Sequence, residues 1–294
     1  MNSPSESRGT AMVIASAVLF GLMPLLTKIA YAGGCGTCTV VFGRFAFGAA
    51  ASALAAALGG HRLFDLSARE LRRLLVLSAL YAATPVLLYG SYRHIGTGLA
   101  TTLHFTYPVT VMLLDIRLFH ARADRRFVLC LCVCAAGLLC LCGPGEGGGP
   151  RGAALAALSG VSYAVYILLL GKSGLRRVPV TVITFWLSLF SAGEIGLLSA
   201  LTGSLTVPQG PAAWAAVAGL GVLSTTLAVA LFQAGVFLCG EVKASLLSTF
   251  EPLTGTVLGV LVFHEAVTPR SLAGAGLILL SVVLLVRPRT QTGR

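Results

Sequence analysis

Few residues of this 294-residue chain could do chemistry, and the sharpest of them is an acid inside an apolar run. Glu251 stands within 242–263, directly before Pro252. A carboxylate at the centre of a bilayer costs roughly 3 kcal/mol on insertion scales, so an acid inside a span usually has a task. Binding a cationic amine, carrying a proton and pairing with a base are the chemistries open to it. The blander reading is a neutral Glu hydrogen-bonded to backbone that the neighbouring proline leaves open. Pro108 holds the matching place in the run 97–119, and at 1.5 Å per residue both prolines lie about 15 Å along their runs, near mid-depth. Proline has no N–H to give and so releases the carbonyl four residues back, here those of His104 and Ser248. These oxygens are candidate acceptors for a substrate amine or a proton-bearing group. The alternative is a kink whose freed groups a nearby Ser or Thr satisfies.

Around Glu251 the candidate lining groups are His104, Tyr107, Tyr81, Tyr89, Tyr163 and Gln233. They suit a pocket that is mainly apolar with a few polar anchors, although each Tyr is equally an ordinary helix-packing residue. Lys28 and Lys172 close the runs 11–31 and 151–172. They are candidate gating groups that would contact a substrate carboxylate or helix-end carbonyls, or else snorkelling anchors. Arg44 and Glu194 lie about 10 Å inside their runs and are a candidate ion pair at an external gate. No metal, cofactor or catalytic constellation is expected, since His104 has no second ligand at a helical spacing. Cys130, Cys132, Cys134, Cys140 and Cys142 spread around one helix rather than forming a cage, and Cys35 and Cys38 flank a loop where they could pair or merely pack. Gly143-x-Gly145-x-x-Gly148 matches a dinucleotide fingerprint in letters only, because no strand precedes it.

These groups must be held by membrane spans. Only 11% of the residues are charged, against about 25% in a typical soluble domain, and 56% are hydrophobic. So little charge excludes both an ordinary soluble globule and a disordered chain. Ten runs reach the length of a spanning helix: approximately 11–31, 38–58, 72–92, 97–119, 126–143, 151–172, 180–201, 212–237, 242–263 and 271–287. They are continuous and rich in Leu and Ala, without the period-two alternation of barrel strands. The net charge of +11 is read as loop asymmetry. With a cytoplasmic N-terminus, most Lys and Arg fall on one side, including Arg62, Arg69, Arg72, Arg73, Arg117, Arg125, Arg126, Arg176 and Arg177. Both termini are therefore expected in the cytoplasm.

A shift of 144 residues superposes the two halves. Lys28 falls on Lys172, Pro108 on Pro252, Phe119-His120 on Phe263-His264 and Arg126 on Arg270. Tyr81 falls on Thr225, Tyr89 on Gln233 and Tyr107 on Glu251. Each half carries an odd number of spans, so the copies must be inverted about an axis in the membrane plane, an arrangement of secondary transporters. The expected organisation is an N-terminal tail over 1–10, a first five-helix repeat over 11–143, a Gly-rich external linker over 144–150, a second repeat over 151–287 and a C-terminal tail over 288–294.

With the central prolines, Arg44-Phe45, Glu251-Pro252-Leu253, Leu261-Val262-Phe263-His264-Glu265 and Gly274-Ala275-Gly276, the chain resembles the drug/metabolite transporter superfamily, in its EamA-type branch. His264 stands where that branch usually has Gly, and Ala121 where the first repeat would have its matching Glu. The resemblance implies an all-α, ten-helix membrane protein built as a five-plus-five inverted repeat. It further implies a secondary transporter of the plasma membrane that exports amino acids or similar small metabolites by alternating access, with no enzymatic activity. The expected partners are a small-molecule substrate, protons as a candidate co-substrate and the lipid bilayer, with no nucleic acid, in a monomer or homodimer. The alternatives are an intramembrane enzyme acting on lipid-linked substrates, or a uniporter or exchanger of another solute class.

Overall fold

A computed structural model describes residues 4–91, 94–95, 97–121, 125–141, 149–263 and 268–286. The first half contains α1 (Pro4–Gly21), α2 (Met23–Ala32), α3 (Thr37–Leu58), α4 (Ala68–Ser91), α5 (Thr97–His104), α6 (Tyr107–Phe119) and α7 (Arg125–Leu141). The second contains α8 (Pro150–Lys172), α9 (Val180–Thr202), α10 (Gly210–Gly219), a π-helical segment (Leu220–Leu227), α11 (Ala228–Cys239), α12 (Glu241–Leu247), α13 (Phe250–Phe263) and α14 (Pro269–Val286). No strand occurs among the described residues. Among the described residues nine helical stretches are long and apolar enough to cross a membrane. The tenth expected span is α7, whose 17 residues lie at the short end of the spanning range.

The helices follow the repeat. Moving α3 by 144 residues lands on α9, α4 on α10–α11, α5 on α12, α6 on α13 and α7 on α14. Packing follows it too. α3 lies against its own mate α9 and α7 against its own mate α14, while the contact of α4 with α8 is repeated by that of α11 with α1. Arg126 at the start of α7 donates through Nε to the Leu284 carbonyl at 2.7 Å, and its Nη2 contacts the same oxygen. Its mate Arg270, at the start of α14, donates to the Leu139 carbonyl at 3.1 Å. Each cation thus meets the carbonyl-rich end of the facing helix, where a helix dipole favours positive charge.

Three features differ from the sequence reading. The tail expected over 1–10 is helical from Pro4, as the start of α1. The first span is broken at Leu22, because Pro24 near the start of α2 cannot donate to the preceding turn. Its mate position is Leu168, and α8 runs unbroken. The eighth span passes through the π segment, which no composition signal marks. Most of the linker 144–150, the His264-Glu265 pair and the tail 288–294 lie outside the described residues.

The helices cross closely at glycines. A Cβ built on Gly221 would meet the Gly48 nitrogen at 2.8 Å and the Arg44 carbonyl at 3.0 Å. Backbone atoms cannot swing aside as a side chain could, so Gly221→Ala must push α3 from the π segment. Such overpacking costs about 1–3 kcal/mol, and the expected result is a lower melting temperature in detergent. A variant that melts with the wild type would show the crossing to be looser than drawn.

Candidate functional site

Arg44 belongs to the inward stripe of α3, with Val40, Val41, Phe45 and Gly48 at helical spacing, and it is 5% exposed. A cation so placed needs acceptors, and two repeat mates supply them. Arg44 Nη2 donates to the Tyr81 hydroxyl at 2.7 Å, and Nε to Thr225 Oγ1 at 2.9 Å. Thr225 in turn donates to the Leu220 carbonyl five residues back, the spacing of the π segment that turns it inward. Tyr81 and Phe45 also present their rings to the guanidinium, 5.8 and 5.4 Å from it.

Glu251 sits in the first turn of α13, just after the break in the ninth span. That helix start presents the positive end of its dipole, which suits a carboxylate. Glu251 lies within electrostatic reach of Arg44, Tyr81, Tyr89, Tyr107 and Tyr163. Arg44 and Glu251 nevertheless form no ion pair within 4.0 Å. No hydrogen bond or ion pair from a described residue reaches the Glu251 carboxylate, and neither its oxygens nor Arg44 Nη1 is among the sealed, unpartnered atoms. Arg44 and Glu251 therefore lie within electrostatic reach of each other without touching.

Aromatic rings cluster beside them. Tyr107 and Tyr163 meet edge to face at 4.9 Å, Tyr163 stacks on Tyr166 at 5.8 Å, and Tyr166 meets Tyr81 at 5.1 Å. His104, at the end of α5, lies 5.7 Å from Tyr163 and 5.4 Å from Tyr107. Ser159 donates to the Ala156 carbonyl at 2.6 Å, so its oxygen accepts from His104 Nδ1 at 3.0 Å, which assigns the tautomer and leaves Nε2 as the acceptor. Gln233 is fully buried, accepts from Thr184 at 3.0 Å and donates to Tyr166 at 3.4 Å. It thus braces the tyrosine wall from behind. Tyr89 is partly exposed on α4, at the edge of the same space.

The helix breaks work differently from the sequence expectation. Pro108 and Pro252 do follow breaks, but the Ser248 carbonyl is taken by the Glu251 N–H at 3.0 Å. The His104 carbonyl faces Gly160, where an added Cβ would lie 2.7 Å from it. The Ser248 carbonyl thus already holds one backbone partner, and the His104 carbonyl packs against the Gly160 backbone. The external ion pair also differs. Arg44 turns to Tyr81 and Thr225, while Glu194 accepts from Ser78 at 2.8 Å and borders an apolar groove of about 390 Å³ between α4 and α9. The two side chains leave their helices on different faces, which equal depth does not reveal. Lys28 is exposed at the end of the first span, whereas Lys172 enters an acidic cluster with Asp115 and Glu241, both missed in the sequence. Among the described residues no group of His, Cys, Asp and Glu could hold a metal.

The model of the EamA-like transporter family matches this chain twice, over residues 7–143 and 150–287. The chain belongs to the EamA-like transporter family. Its two matched segments are the two structural repeats, and it is a multi-pass membrane protein of the drug/metabolite transporter superfamily. This EamA-like chain is 30% identical over 210 residues to an uncharacterized transporter, sll1319, of Synechocystis sp., covering 68% of this chain and 62% of the relative. It is 28% identical over 138 residues to an uncharacterized transporter of Archaeoglobus fulgidus, covering 46% and 48%. The matched stretch therefore spans less than two thirds of either relative. A solved structure titled only "Crystal structure of protein" superposes with a TM-score of 0.83 at 19% identity, over 95% of this chain and 96% of that one, a likeness of fold.

Proposed function

We propose that this EamA-like transporter is a secondary active carrier that exports amino acids or similar small metabolites across the plasma membrane. The observation that carries this reading is the pair formed by the buried Arg44 and the half-buried Glu251, within electrostatic reach of each other beside an aromatic cluster but not in contact. A substrate bearing both an ammonium and a carboxylate would complete both. Its ammonium would meet Glu251 and the tyrosine faces, and its carboxylate the open side of the guanidinium. The helix breaks beside this pair support a site at mid-depth, where repeat-built carriers bind their cargo. Alternating access then consists of the repeats rocking about it, with both termini in the cytoplasm and protons as a candidate co-substrate.

The test is uptake of a labelled panel of amino acids and related metabolites by proteoliposomes holding the purified chain, with and without a pH gradient. Saturable flux with counterflow by zwitterions supports the reading. Flux confined to singly charged or neutral solutes overturns the zwitterion site, and no flux of any solute overturns the carrier.

A further inference from the structure

Glu194 is an acid inside a membrane span that the central site does not use. It is the one titratable residue of α9 and lies about 12 Å short of the helix end at Thr202. Its Oε1 is 2.8 Å from Ser78 Oγ of α4, and that hydroxyl is also 2.8 Å from the Leu75 carbonyl. A hydroxyl has one hydrogen to give. The other carboxyl oxygen, Oε2, is sealed and meets no donor among the described residues. No Lys, Arg or His among them lies within 4.0 Å of the acid. An ionised Glu194 would therefore share a single hydrogen with a carbonyl and leave Oε2 bare. A proton on the carboxyl supplies the missing hydrogen, and an acid with a sealed, unpaired oxygen takes one up rather than stay ionised.

α9 packs on α3, α4, α11 and the π segment. The titratable groups on the facing turns are Arg44 of α3 and Tyr81 of α4, which are bonded to each other at 2.7 Å. α11 and the π segment present Gln233 and Thr225, neither of them titratable. α4 joins the acid to the central site. Ser78 and Tyr81 stand a helical turn apart on one side of α4, so one turn meets Glu194 and the next meets Arg44. Ser191 of α9 adds a bond to the Ser78 carbonyl at 3.4 Å. Pro85, inside α4, has no N–H to give the Tyr81 carbonyl. The apolar groove that Glu194 borders is lined on both sides of this proline, by Ala82 and Ala83 and by Val86 and Leu87.

We propose that Glu194 is the proton site of this carrier, loaded in this structure and discharged when α4 moves. The inference rests on the carrier reading above and gives its candidate co-substrate a residue apart from Glu251. Bending of α4 at Pro85 takes Ser78 from the carboxyl and opens the groove to water. The O–H bond of the acid then breaks and its proton passes to water at one face. The carboxylate later takes a proton from water at the other. The same movement shifts Tyr81 on Arg44, so one helix reads the loading of the acid and of the substrate. Acids inside membrane spans form proton relays of this kind.

The first measurement is infrared spectroscopy of the full chain in lipid nanodiscs at neutral pH. An un-ionised carboxyl shows a carbonyl stretch well above the bands of a carboxylate, and the chain has only 10 Asp and Glu residues to contribute. Glu194→Gln should remove a component of that stretch, and Glu251→Gln should leave the same component in place. The second is uptake by proteoliposomes. Uptake driven by a pH gradient should fall in Glu194→Gln about tenfold more than counterflow does, within the range of coupling between two sites. Glu194→Asp, which still holds a proton, should keep part of the gradient drive. An infrared spectrum that Glu194→Gln leaves unchanged overturns the proposal, as does gradient-driven uptake equal to that of the wild type. So does a wild type whose uptake ignores the gradient. Equal loss of driven uptake and counterflow, with a lower melting temperature, makes Glu194 a packing residue and overturns it too. A wild type without flux of any solute overturns the carrier reading and the coupling with it. The infrared band still decides whether Glu194 holds a proton, so the two failures are told apart.

Discussion

Glu251→Gln is expected to cut zwitterion transport by roughly 30-fold or more while leaving the protein folded, since losing one partner of a buried charge contact costs about 2–5 kcal/mol. Gln keeps the size of the side chain and its place in the first turn of α13 but removes the charge. The ammonium of the substrate then faces a dipole instead of a carboxylate. Arg44 meanwhile loses an acid from its electrostatic surroundings. The measurement is initial rate against substrate concentration in proteoliposomes, with the melting temperature in detergent as the check on folding. Wild-type flux at every pH would reduce Glu251 to a packing role, and a collapse in melting temperature would assign it to stability.

Arg44→Gln should be as severe and reach further. The guanidinium ties α3 to Tyr81 on α4 and to Thr225 in the π segment, and a Gln cannot hold both from one position. Two buried hydroxyls then lose a donor, at about 1–3 kcal/mol for a buried group left unpaired. Transport and stability should therefore fall together. The double variant Arg44→Gln with Glu251→Gln separates the roles. If both charges grip one zwitterion, the two losses in flux are not additive, because either change alone already spoils the recognition. Strictly additive losses would mean that the two residues act on different steps. Comparing an amine lacking the carboxylate with an acid lacking the ammonium supplies the complementary control. Arg44→Gln should hurt the acid more, and Glu251→Gln the amine.

The fold was legible because its signals are long and redundant. Spans of twenty residues average out local ambiguity, and the coincidence of Lys28 with Lys172 and of Pro108 with Pro252 at one offset requires a duplication. The lining of the site was legible for the same reason, since polar residues inside apolar runs are few. Pairings were not. Equal depth suggested Arg44 with Glu194, yet depth says nothing about azimuth, and a π segment in the eighth span turns Thr225 toward Arg44. Asp115 and Glu241 carry no signal of their own in the sequence, because only the folded chain brings both to one lysine. The prolines signalled broken helices correctly, but chain geometry rather than proline chemistry decides which carbonyl stays open, and the Glu251 N–H closes the one at Ser248.

The reciprocal arginines of the fifth and tenth spans bear on the order in which the chain is made. Arg126 is synthesised long before the Leu284 carbonyl that receives it, and Leu139 long before Arg270. While the first half leaves the ribosome, α7 presents a cation and an unreceived carbonyl to the membrane, and both are satisfied only when the 18 residues of α14 follow. The two repeats are thus alike in shape yet incomplete apart. A severed first half would lack the helix that closes it, and α14 is the segment that seals both.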